Sequence, residues 1–290
     1  MRKALIILSF LLICIEAKCQ DRLLLSGTLS EEIVILNRKT NEIEWRYNDK
    51  NGQCKECNSL IHLKNNRIVY TYKKGATMID SQGQTIWNFH VNEGEEMQSV
   101  SRSRGGMTLA IAGNPMRIVE IDINGNIKNE THYNTEIENI HKQFRQIAIT
   151  KRGNYIIPIT ASRRVIELTP SGEVVKDIKL EETPFYVSTT KKGNWIVTCG
   201  HSGKIYEIDK KSSKKREITS GKRLNNGANI EFAAGIIELK NGNLLLANWV
   251  GHNGDRSQPI LIELSKDGNV IWQMNEREDF TFTAGIDAIY

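Results

Sequence analysis

One phrase, an apolar run, a tight turn and a second apolar run, returns along this chain every 40 to 48 residues. Anchored on the turn, the copies read CNSLIHLKNNRIVYTY from Cys57, MQSVSRSRGGMTLAIAG from Met97, FRQIAITKRGNYIIPIT from Phe144, FYVSTTKKGNWIVTCG from Phe185 and AAGIIELKNGNLLLANW from Ala233. A sixth first half, FTAGIDAIY, ends at Tyr290, and a matching second half, LLLSGT, stands at Leu23. Each copy alternates apolar and polar residues with period two, the mark of half-buried strands. A fixed period of this length built from short strands is the signature of a β-propeller. The expected fold is all-β: a six-bladed β-propeller of four-stranded antiparallel blades, closed by a composite blade from the two ends of the chain.

Gly and Asn punctuate the repeat where turns need positive φ. The first and second strands of a blade meet at Asn65-Asn66, Gly105-Gly106, Gly153-Asn154, Gly193-Asn194 and Gly242-Asn243, and the third and fourth at Gly83, Gly125, Gly172 and Gly268. The third strand carries an apolar-acidic phrase (VEID, VIEL, IYEID, LIEL), and the fourth often ends on Trp, as at Trp45, Trp87 and Trp272. These Trp residues are expected to pack between blades. The blades fall at about 23–47 plus 282–290, 58–89, 97–133, 144–180, 185–219 and 232–275, forming a single domain over 21–290. Pairing the two chain ends in one blade closes the ring and hides its sheet edges.

The phrases IVILNRKTNEIEW, TMIDSQGQTIW and LIELSKDGNVIW resemble the quinoprotein-like (PQQ-like) repeats of exported bacterial propellers. With its CNS, HxQFRQ and NWxGH phrases, nearly the whole chain is similar to six-bladed secreted propellers of Bacteroidetes. The resemblance implies the fold and leaves the activity open, because that repeat serves quinone enzymes, assembly factors and scaffolds alike. Quinone-dependent dehydrogenation calls for a wider, eight-bladed ring with calcium, and this chain is too short for it. No cofactor is expected.

Residues 1–20 read as an export signal: Arg2 and Lys3, then an apolar run from Ala4 to Ile15 too short to span a bilayer, then Ala17-Lys18-Cys19 as a cleavage site. The alternative is a lipoprotein acylated at Cys19. The protein is therefore expected to be exported, periplasmic or extracellular, without a transmembrane segment, and monomeric. The whole chain has 39 basic and 34 acidic residues; without the leader's Arg2, Lys3, Lys18 and Glu16 the net charge falls from +5 to +3. That is too small for a nucleic-acid binder, whose affinity rests on many phosphate contacts. The basic run Lys210 to Arg216 is read as a solvated hairpin tip. An oxidising compartment and a CxxC with no following helix favour a Cys54–Cys57 disulfide, with Cys57–Cys199 as the alternative pairing.

Propeller topology puts the loop before the first strand and the loop after the second on one face, near the axis. There the chain places Glu56, Asn58, Gln98, Asn114, His141, Gln143, Arg145, His201, Asn248, Trp249 and His252, while the opposite face is expected to carry turn residues alone. Convergent polar groups beside apolar walls make a ligand site. Asn58, Gln98 and Asn114 are equally readable as backbone-satisfying groups, and Arg145 as an ion-pair partner of Glu95 or Glu96. His141, His201 and His252 lack a compact metal-binding spacing, so no metal is expected. The function expected is binding of a small polar or anionic ligand, glycan or protein on this face. The alternative is an enzyme resembling propeller sulfotransferases or metal-assisted uronate lyases, with His141 and Arg145 as base and anion clamp.

Overall fold

The computed structural model describes residues 21–27, 32–49, 56–251, 253–281 and 283–289. Six sheets of four antiparallel strands form a ring, each running in chain order from axis to rim except where the chain ends meet. In that composite blade, Thr283–Ala288 is innermost and pairs with Arg22–Gly27, Leu25 opposite Ile286 and Leu23 opposite Ala288; Glu32–Asn37 and Glu42–Asn48 complete it. The innermost strands of the second to sixth blades are Leu60–His62, Glu96–Ser103, Ala148–Ile149, Tyr186–Thr189 and Ala233–Glu238. The all-β six-bladed propeller expected from the repeat is the observed fold.

The core lies between blades. Middle strands such as Ile68–Tyr72 and Gly75–Ile79 are buried throughout, whereas rim strands such as Thr85–His90 and Val174–Lys179 alternate with solvent. Ile61, Val69 and Met78 of the second blade pack on Val100, Leu109 and Val119 of the third. Leu23, Leu25 and Val34 of the composite blade pack on Leu245, Ala247 and Leu261 of the sixth, so the ring closes over apolar surface.

The rim explains two recurring sequence marks. Each Trp of a fourth strand reaches a neighbouring blade. Trp45 Nε1 donates to Ser81 O at 3.1 Å, Trp87 lies against Gly125, and Arg38 sits 4.3 Å over the Trp272 ring. The third-strand acid ties down its own blade's first turn: Glu167 accepts from Asn154 at 2.8 Å, Glu207 from Asn194 at 2.8 Å, and Glu263 from Asn243 at 2.7 Å.

Toward the axis, short hydroxyl side chains join neighbouring blades. Ser26 Oγ donates to Cys57 O at 2.7 Å, Ser59 Oγ accepts from Val100 N at 3.1 Å, Ser101 Oγ donates to Ile147 O at 2.7 Å, and Thr198 Oγ1 to Ala234 O at 2.8 Å.

The cysteine expectation is partly overturned. Cys57 and Cys199 are free, buried thiols in separate core clusters, so no bridge joins them. Burial pushes the Cys199 thiol up to about 12, which makes it inert packing. Cys54, like residues 1–20 with Cys19, lies outside the described residues. Among the described residues no helix is long and apolar enough to cross a membrane.

Candidate functional site

Two cavities follow one another along the axis. The one at the loop-rich mouth has a volume of about 290 Å³ and the one beyond it about 240 Å³. Gln146 and Tyr186 line both and form the partition. Gln146 is held across three blades: it accepts from Ser59 Oγ at 2.6 Å and donates to Val100 O at 3.2 Å and Ser101 Oγ at 3.1 Å. These bonds fix the Gln146 amide in the floor of the mouth.

The walls of the mouth divide by chemistry. Blades two to four supply Glu56, Asn58, Lys73, Glu96, Gln98, His141 and Arg145. Blades five, six and one supply Phe185, His201, Phe232 and Trp249, with Ala234, Gly235 and Ala284 leaving room. A Cβ on Gly235 would stand 2.7 Å from Ala284 O, so glycine is what lets these inner strands meet. Phe232 is the hub of the aromatic wall. Phe185 and His201 each meet it at 4.6 Å and 89° or 88°, and Trp249 at 5.8 Å and 80°, the edge-to-face geometry aromatic pairs prefer. Gly251 lies under the Trp249 ring, where a Cβ would come within 2.4 Å of it.

On the polar wall, Glu96 accepts from His141 Nδ1 at 3.0 Å and pairs with Lys73 at 3.2 Å. Burial raises its pKa, but these hydrogen bonds outweigh it and hold the carboxyl below the ordinary range. Arg145 is different. Its Nη1 donates to His141 O at 2.5 Å and Phe144 O at 3.0 Å, and its guanidinium lies 5.6 Å over the Phe185 ring. Among the described residues no carboxylate forms an ion pair with it, and burial pulls its pKa down against the opposing pull of Glu96 and Glu56. The alternative of an Arg145–Glu95 or Arg145–Glu96 pair is overturned: Glu95 belongs to Arg117 through two contacts of 2.6 Å, and Glu96 to Lys73 and His141.

Seven of the eleven residues expected at the site line the mouth together: Glu56, Asn58, Gln98, His141, Arg145, His201 and Trp249. Three do not. Asn248 is wholly buried, accepts from the backbone N–H of Glu231 and Phe232, and donates to Asn229 O and Pro259 O. Gln143 is also wholly buried, bonded to both backbone groups of Gly113 and to Ile137 O, and it holds Asn114 by its side chain. These amides brace loops. His252 lies outside the described residues.

The opposite face is not bare, contrary to expectation. Asp287 in the second cavity accepts from His62 N at 2.6 Å and from Arg102 Nη1 at 3.1 Å. Sequence reasoning left out Lys73, although it follows the second strand as His201 does in its own blade. It also left out Glu96, Phe185 and Phe232 as binding groups, and the partition of Gln146 and Tyr186. Among the described residues no group of three or more His, Cys, Asp or Glu is placed to hold a metal ion.

These features define a six-bladed β-propeller with a half-charged, half-aromatic cavity at one mouth of its axis. The Mal s 1 allergenic protein-like family matches residues 24–269, and the chain belongs to that family. A Bacteroides caccae protein of unknown function is 34% identical, with a TM-score of 0.83 over 91% of this chain and 97% of that one. A streptogramin B lyase (12% identity, TM-score 0.63, 90% of this chain and 85% of that one) shares the fold alone. So does a putative 6-phosphogluconolactonase from Bacteroides uniformis (11% identity, TM-score 0.58, 93% and 100%). No curated protein matches.

Proposed function

We propose that this propeller is an exported, non-catalytic binding protein that takes, in its axial mouth, a small ligand with one anionic group and one flat or sugar-like face. Arg145 carries the reading. A guanidinium drawn into a cavity, tied to two backbone carbonyls and in no ion pair among the described residues, lacks a direct counter-charge. Such charges are costly unless something pairs with them, and Arg is the side chain best shaped to fork an anion. The aromatic wall beside it offers ring surface to the rest of the ligand. The resemblance of the outer strands to quinoprotein-like repeats adds fold and no cofactor.

Titration calorimetry with aromatic carboxylates, uronates and aryl sulfates tests this. Arg145→Ala is expected to weaken anionic ligands by about 10- to 100-fold, the worth of a charged hydrogen bond, while the melting temperature stays nearly unchanged. Unchanged affinity, or an unfolded variant, removes the centre of the reading.

A second reading draws support from His141, whose Nδ1 bond to Glu96 fixes the ring as a general base is fixed. In that case the same ligands, or those of a lyase or sulfotransferase, are turned over, and His141→Ala removes turnover while binding persists.

A further inference from the structure

We propose that the ligand of the mouth is a zwitterion with a flat ring, of the size and kind of an aromatic amino acid, its carboxylate held by Arg145 and its amine by Glu56. The inference rests on the reading of the mouth as a ligand site and names the class of ligand.

Among the described residues, four formally charged side chains other than histidine line the cavity: Glu56, Lys73, Glu96 and Arg145. Lys73 and Glu96 neutralise each other at 3.2 Å. Glu56 and Arg145 remain, one of each sign. They sense each other's field, yet no ion pair joins them, and the two carbonyl bonds from Nη1 restrain Arg145 from swinging across. A simple anion on Arg145 would also feel repulsion from Glu56, and a simple amine on Glu56 would feel Arg145. A zwitterion answers both charges and leaves the cavity's net charge unchanged.

Two further observations agree. Gln98 is 6% exposed and lines the mouth from the bulge between Met97 and Ser99, and its side-chain amide has no hydrogen-bond partner among the described residues. Its amide can donate to a carboxylate and accept from an amine, so it suits a ligand that brings both. The volume of about 290 Å³ lies at the small end of the roughly 300–1,000 Å³ typical of ligand cavities. That holds one ring with its charged groups. Edges and faces of Phe185, Phe232 and Trp249 stand ready for the ring.

The test is calorimetry of the whole protein with three indoles: tryptophan, 3-indolepropionate, which lacks the amine, and tryptamine, which lacks the carboxylate. Wild type is expected to bind tryptophan at least about tenfold more tightly than either analogue. Glu56→Gln should bring tryptophan down to the level of 3-indolepropionate without weakening the latter. Arg145→Ala should bring tryptophan down to the level of tryptamine. If 3-indolepropionate binds as well as tryptophan and Glu56→Gln changes neither, the zwitterion is wrong and the anion-binding reading stands. Tightest binding by tryptamine, or no binding of any indole, also overturns the zwitterion; uronates and aryl sulfates then decide whether the anion reading survives.

Discussion

Asn248 and Trp249 are neighbours in sequence with opposite duties. The Asn248 amide faces into the loop, where its four polar contacts hold the segments at 229–232 and 259 together. Trp249 turns to the cavity. Asn248→Ala leaves two part-buried N–H groups and two carbonyls short of a partner. The expected loss is on the order of 2–4 kcal/mol in urea unfolding, since each buried orphan costs about 1–3 kcal/mol before relaxation. A loss below about 0.5 kcal/mol would mean that the bracket adds nothing to the fold. The same pair marks the limit of reading a site from sequence. Register alone put Asn58, Gln98, Asn114, Gln143 and Asn248 on the right face. An amide suits a cavity wall and a backbone brace equally well, so nothing in the five residue types divides the first two from the last three. Only the course of the loops does, and loops carry no periodicity.

At the scale of strands and turns, the sequence was far more legible. A strand that must bury one face and turn on two residues leaves alternation, Gly and Asn behind it, and the Glu–Asn ties at the rim repeat because each blade meets the same geometry. What stayed hidden was contact between blades, which depends on side chains some 30 to 50 positions apart. Gly285 makes a contact far more distant in sequence, facing Ser26 across its own blade and Asn58 of the next. A Cβ there would lie 2.3 Å from Ser26 Oγ and 3.3 Å from the Asn58 carbonyl carbon, where Ser26 holds the composite blade to the second through Cys57 O. Gly285→Ala is expected to destabilise the protein by about 1–3 kcal/mol, the usual cost of overpacking. Much of that cost should vanish in a Ser26→Ala background, because the clash is with the hydroxyl. Strictly additive effects of the two substitutions on urea unfolding would place the strain elsewhere.

The whole ring depends on one pairing that joins the ends of the chain. Thr283–Ala288 supplies the innermost strand of a blade whose other three strands lie between Arg22 and Asn48. Ile286 and Ala288 enter the core cluster shared with the sixth blade, and Asp287 ties the strand to His62 and Arg102. Removing residues 281–290 strips on the order of 5 kcal/mol of apolar burial, comparable with the roughly 5–15 kcal/mol that holds a typical domain together. It also bares the unpaired edge of Arg22–Gly27 toward the axis, and a bare edge invites pairing between molecules. The truncated chain is therefore expected to lose its cooperative melting transition and to scatter light at concentrations where the full chain is clear. A synthetic peptide of residues 281–290 should restore the transition by adding back the strand in trans, because the contacts it makes are those of the closed ring. A truncated chain that melts within a few degrees of the full protein, with no gain from the peptide, would show that five blades and a remnant hold the ring unaided.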